Sequence, residues 1–95
     1  GMNTLIRPAL YGAYHEIVNL TRLGEPAAET VEVVGPICET GDVLGHSRRL
    51  PATQPDDVLL VATTGAYGAS MANRYNLRPT AHEVLLPAKA PAVVE

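Results

Sequence analysis

The sequence predicts a mainly β domain, a small Greek-key-like β-barrel with one or two short helices. Three observations predict it. Short apolar segments recur along the 95 residues, separated by Gly, Pro and charged turns. One of them, ETVEVV at 29–34, alternates as a half-buried strand does, and another, DVLLVATT at 57–64, is apolar on both faces, as in a strand covered inside and outside. Only two brief stretches carry the start and stop signals of helices.

Taken in order, Gly1 before Met2 resembles the remnant of a cleaved tag and is set aside, leaving a domain over 2–87. RPALYG, 7–12, opens with a Pro suited to a first helical turn and closes on a Gly suited to a C-terminal stop, so Arg7 and Tyr11 face the same way. AYHEIVNL, 13–20, reads as a strand ended by a Gly-Glu-Pro loop. ETVEVVGPIC, 29–38, is a strand interrupted by Gly35-Pro36, and DVLGHSRRL, 42–50, is a strand whose central Gly marks a bulge or bend. After the strand at 57–64, Thr63-Thr64 can cap a helix beginning in GAYGASMANRYN, where small residues allow close approach to the backbone. HEVLLP, 82–87, is a short strand, and 88–95, with its prolines, reads as a tail.

Apolar residues make up 46 % of the chain, yet it has neither Phe nor Trp and only four Tyr. The core is therefore expected to be thin, with part of the stabilising contact lying in a partner chain. A net charge of -3 and a single adjacent basic pair, Arg48-Arg49, argue against a nucleic-acid partner. No apolar run reaches membrane-spanning length, and one Cys excludes an internal disulfide and suits the cytoplasm.

Paired-Cys zinc motifs, H-E-x-x-H, Walker loops and G-x-S-x-G are missing, and His15, His46 and His82 lie in separate segments and read as surface or satisfied histidines. Three small constellations remain. Arg7 and Tyr11 offer a guanidinium fork and a phenol, suited to a carboxylate, although an exposed Arg beside a packed Tyr is the plainer reading. Cys38 follows a broken strand and so sits at a sheet rim beside Glu39 and Asp42; a packed thiol with solvated acids is the plainer reading there. Tyr67 occupies a strand-to-helix junction, where it either packs or stands near an anion held by backbone N–H groups.

In order and at compatible spacing, RPALYGAYH, GPICETGD and TTGAYGASMANRYNLRP resemble the C-terminal domain of the pyridoxal-phosphate-dependent amino-acid decarboxylases that share a fold with alanine racemase, and within them most closely the diaminopimelate decarboxylases. The resemblance runs from about Ile6 to Leu86 and shifts the weight of all three constellations toward function. It implies that Arg7 and Tyr11 bind the distal carboxylate of the substrate and Glu39 its distal ammonium. It implies that Cys38 reaches into a partner subunit's site as proton donor, and that Tyr67 approaches both cofactor and substrate. Carboxynorspermidine or another basic amino acid is the alternative substrate.

The resemblance further implies a homodimer, a cofactor-binding barrel of alternating strands and helices, and a strand from the N-terminal end of the whole enzyme's chain that completes the β domain. Pyridoxal phosphate forms an imine with a lysine. The sole lysine, Lys89, stands in PAKAPAV, where nothing would desolvate its amine. The expectation is a detached or truncated C-terminal domain, incomplete and inactive alone, binding no cofactor by itself. The alternative is a non-catalytic dimerisation or ligand-binding module of the same descent.

Overall fold

A computed structural model describes residues 1–88 and the backbone of residues 92–94. Helices α1 and α2 span Arg7–Tyr11 and Gly65–Ser70. The strands are β1 Ile17–Asn19, β2 Glu29–Val34, β3 Val43–Leu50, β4 Leu59–Val61, β5 Glu83–Leu85 and β6 Ala92–Val94, and a 3-10 turn, Tyr75–Leu77, follows α2. All pairing is antiparallel: β2 with β3, β1 with β4 around that hairpin, and β5 with β6. The mainly β class with two short helices is therefore as expected. The barrel does not close among the described residues, because the strands pair off in twos and leave sheet edges without a neighbour.

Alternation decides which side chains enter the core. His15, Ile17 and Asn19 point inward at every second position along β1 and its approach, while Glu16 is exposed. On β2, Val31 and Val33 face in and Thr30, Glu32 and Val34 lean outward, so one face of the hairpin meets β1 and β4. Ile17, Val33 and Leu50 form the buried cluster, with Val31, Leu44, Leu59 and Val61 packed against it. The core is as thin as the lack of Phe and Trp predicts.

Gly45 marks an irregularity, as its place in the strand predicts. Val31 pairs with Arg48 but Val33 with Gly45, so three steps on β3 oppose two on β2, and Ser47 takes a positive φ of 51° inside the extra turn of chain. A Cβ on Gly45 would stand 2.9 Å from Ile17 Cδ1 and from Arg48 Cζ, which explains why the residue here has no side chain.

Beneath the β1–β4 pair, buried Asn19 donates to Thr53 Oγ1 and Asp57 Oδ2, both at 3.1 Å, and accepts from the Arg22 backbone at 3.0 Å. Arg22 Nε reaches the same Asp57 oxygen at 2.7 Å. The Asp57 carboxyl is held down to about 2, first by the Gln54 backbone N–H and then by Arg22 and Asn19.

Three expectations need amending. The strand at 57–64 is not covered on both sides, since Leu60 is 45 % exposed and neighbouring Val58 57 %; the residues described here supply no layer over that face. Gly1, set aside above, is built into the fold: its carbonyl accepts the backbone N–H groups of Thr4 and Leu5, and its Cα packs against Gly35. The segment read as a tail contributes β6, whose Ala92–Val94 backbone pairs with β5. Lys89 lies outside the described residues. No helix among those described is long and apolar enough to cross a membrane.

Candidate functional site

The short α1 helix forms because Pro8 starts it and Gly12, at φ 67°, ends it in a left-handed turn whose N–H returns to the Pro8 carbonyl at 3.0 Å. That turn aims Arg7 back over the β1 approach. Its Nη1 stands 3.5 Å from Nε2 of His15, and its Cζ lies 4.9 Å from the centre of the Tyr67 ring. His15 is buried, with Nδ1 3.0 Å from the Ala62 carbonyl oxygen. A carbonyl only accepts, so Nδ1 carries the proton and Nε2 is left as the acceptor facing Arg7. The guanidinium is thus fixed by a buried imidazole and by a half-exposed phenol, with donors to spare for an anion.

Two of the predicted residues, from motifs sixty positions apart, therefore meet: Arg7 and Tyr67. Tyr11 is 65 % exposed on the outer side of α1 and makes no hydrogen bond among the described residues. Tyr67 sits in the first turn of α2, as its junction position predicts, after a kink at Thr63, φ 60°. Thr64 occupies the N-cap position without capping; its hydroxyl turns back toward the Val61 carbonyl at 3.5 Å.

The second group lies in the loop after β2. Cys38 is exposed, at the rim of the sheet as its position after Gly35-Pro36 predicts, and Glu39 is exposed beside it. The plainer reading holds for Glu39 alone, because the thiol is not packed and Asp42 is not solvated. The Asp42 side chain is buried and accepts from the Met2 N–H at 2.7 Å and the Ile37 N–H at 2.9 Å, while its backbone carbonyl accepts from the Gly35 N–H at 3.0 Å. It is the staple that closes the loop and ties it to the first residues of the chain. Cys38 has a partner that the sequence reading missed: Asn76 Nδ2 donates to Sγ at 3.0 Å. The signal available was an Asn, a residue tolerant of left-handed backbone, in the irregular end of GAYGASMANRYN.

Among the described residues no hydrogen bond or ion pair joins Arg7 or Tyr67 to Cys38 or Glu39. The chain carries two separate groups of chemistry-bearing side chains. A cleft of about 490 Å³ lies elsewhere, between Tyr14, Glu16, His46 and Arg48. There the Tyr14 phenol donates to Glu16 at 2.6 Å, which raises its pKa, and the Arg48 guanidinium stacks 4.2 Å from the Tyr14 ring centre. His46 pairs with Glu32 on the surface, where the Ser47 N–H and the imidazole lower the pKa of that carboxyl. The described residues hold no cluster of three or more His, Cys, Asp or Glu able to bind a metal.

Residues 1–65 match the family described as the pyridoxal-dependent decarboxylase, C-terminal sheet domain. The chain belongs to that family. Arg7, Tyr11, Cys38 and Glu39 fall inside the matched span, and Tyr67 two residues beyond it. A diaminopimelate decarboxylase from Neisseria meningitidis serogroup B is 53 % identical over 85 residues, covering 90 % of this chain and 20 % of the relative. Another from Zymomonas mobilis is 44 % identical over 95 residues, covering 98 % and 22 %. The crystal structure of the diaminopimelate decarboxylase from Helicobacter pylori complexed with L-lysine superposes with a TM-score of 0.87 at 41 % identity, over 98 % of this chain and 23 % of that one. The chain spans about a fifth to a quarter of the length of these relatives.

Family membership implies pyridoxal phosphate, and the side chains allow a test of fit. The cofactor's aldehyde needs an amine, and the described residues contain no lysine. Arg7 and Tyr67 present a guanidinium and a phenol, and neither forms an imine with an aldehyde in the way a lysine amine does. The sheet-domain residues described here do not make a cofactor site on their own.

Proposed function

We propose that this chain works as the sheet domain of a diaminopimelate decarboxylase, an enzyme that converts meso-diaminopimelate to L-lysine and carbon dioxide, with a barrel domain supplying the lysine and the pyridoxal phosphate. The observation that carries the reading is the meeting of Arg7 and Tyr67 over buried His15. It gives a preset guanidinium next to the ring expected to approach the cofactor. Meso-diaminopimelate has an amino-acid group at each end, so selecting it takes a carboxylate grip and an ammonium grip away from the reacting carbon. In this reading Arg7 and Tyr11 provide the first and Glu39 the second, while Cys38 gives up its proton to the carbon that has lost its carboxylate.

The separation of the two groups supports a homodimeric site in which Arg7 and Tyr67 of one subunit face Cys38 and Glu39 of another. Mixing Arg7→Ala and Cys38→Ala proteins, each joined to a barrel domain from a relative, tests this. Each variant alone is expected to form little lysine. The mixture recovers about a quarter of the parent activity, because random pairing gives half mixed dimers with one intact site each. No recovery on mixing refutes the shared site. If the parent chain with a barrel domain never releases carbon dioxide from meso-diaminopimelate, the decarboxylase reading itself falls, and the non-catalytic module takes its place.

A further inference from the structure

The segment 73–78 has a backbone that propensity alone does not explain. Asn76 and Leu77 are consecutive non-glycine residues at positive φ, 62° and 57°. Such a pair is costly, the more so for Leu, and persists only where surrounding contacts over-determine it. Those contacts are present. The Asn73 N–H donates to the Asn3 carbonyl at 2.8 Å, the Tyr75 N–H to Asn73 Oδ1 at 3.0 Å and the Leu77 N–H to the Arg74 carbonyl at 2.7 Å. Leu77 gains no packing from its conformation, since its side chain is 87 % exposed. What the turn accomplishes is to bring the Asn76 carboxamide to Cys38, 38 positions away, with Nδ2 3.0 Å from Sγ. The opposite side of that contact is fixed too, because the buried Asp42 staple holds the Cys38 loop.

We propose that Asn76 is the positioning residue of the Cys38 thiol. An N–H donor on sulfur occupies a sulfur lone pair, so the S–H proton points away from Asn76 and toward solvent or substrate. When the S–H bond breaks and its proton forms a C–H bond with the electron pair left by the departing carboxylate, sulfur retains the S–H pair as a thiolate. The same Asn76 N–H then stabilises that charge, as hydrogen bonds to ionised groups are the stronger kind. The catalytic meaning rests on the decarboxylase reading above; the positioning itself does not.

The test uses the full chain and iodoacetamide, with the alkylation rate of Cys38, its sole thiol, measured at one neutral pH. Asn76→Gly keeps the left-handed backbone accessible and removes the donor that stabilises the reacting thiolate. Its alkylation rate is expected to fall about threefold, the loss of thiolate being partly offset by greater nucleophilicity. Asn76→Asp, which places a carboxylate on sulfur, falls further. A loop merely loosened by the substitution exposes the thiol more and raises the rate in both variants. An unchanged or faster rate in Asn76→Gly overturns the proposal. Lysine formation by the barrel-joined proteins is read separately. There Asn76→Gly lowers kcat with little change in KM, and its failure in a chain whose alkylation slows as expected counts against the decarboxylase reading alone.

Discussion

Replacing Asp42 by Ala probes the link between the strand framework and the Cys38 loop. In the parent the buried carboxylate accepts two backbone N–H groups, from Met2 at 2.7 Å and Ile37 at 2.9 Å. Hydrogen bonds to a charged acceptor contribute about 1.5–3 kcal/mol each, and a buried donor left without a partner costs about 1–3 kcal/mol. Part of that loss is recovered where the Met2 N–H, only partly buried, finds water, so the expected destabilisation is about 2–4 kcal/mol. Against the ~5–15 kcal/mol typical of a folded domain, and a core this thin, that is a large share. Urea unfolding followed by circular dichroism measures it as a lower midpoint with little change in slope. Asp42→Asn is the sharper variant: its oxygen can satisfy one N–H, but its own NH₂ then faces the other donor, so it too is expected to lose at least ~1 kcal/mol. A midpoint unchanged in both variants refutes the staple, and with it the claim that the Cys38 loop is held from beneath.

Gly45→Ala puts a Cβ 2.9 Å from Ile17 in the core cluster, and the crowding is expected to cost about 1–3 kcal/mol, read as a lower urea midpoint; an equal or higher midpoint refutes the account of the bulge. Asp57 has a folded-state pKa of about 2 against an ordinary value of 3.8, so its contribution is complete above about pH 4 and is lost as pH falls through 3.8 toward 2. Acid titration of Asp57→Asn should therefore show a shallower loss of stability across that window than the parent does. Gly12→Ala, forced to φ 67°, is expected to destabilise by about 1 kcal/mol and to disturb Arg7 through the end of its helix, detectable in the same urea titration.

Much of the fold can be read from the sequence because its signals are local. Alternation in 13–19 and 29–34 places Ile17 and Val33 inward, Pro8 and Gly12 bracket α1, and Gly45 sits where β3 gains its extra residue. The pairing of β1 with β4 across the intervening hairpin leaves no local trace, since it depends on contacts some forty residues apart. The candidate residues were likewise legible as types in motifs, while their partners were not. His15 is an ordinary inward position of a strand until Arg7 is folded onto it. Asp42 looks like a solvated acid until the N-terminal backbone arrives, and Asn76 reaches Cys38 only through a backbone conformation that Asn tolerates but does not announce.

The open surfaces and the divided chemistry have a common physical origin. Isolated two-stranded sheets are marginal in water, and the described residues form three, with only Leu5, Ile17, Val33, Ile37 and Leu50 buried among their apolar side chains. Val58 and Leu60 beside the β1–β4 pair, and Val84, Leu85 and Leu86 around β5, stay exposed in the single chain. Each such face loses the transfer energy of its side chains, about 25 cal/mol per Å² of apolar area left in water. The proposed barrel domain and second subunit would cover apolar faces of this kind while bringing an amine and a cofactor to Arg7 and Tyr67. Stability and catalysis would then depend on the same contacts. If so, joining the barrel domain raises the urea midpoint of the sheet domain and protects the β4 backbone amides from hydrogen exchange, whether or not substrate is present. A joined protein whose β4 amides exchange as fast as those of the chain alone would separate the two roles and remove the structural half of the argument.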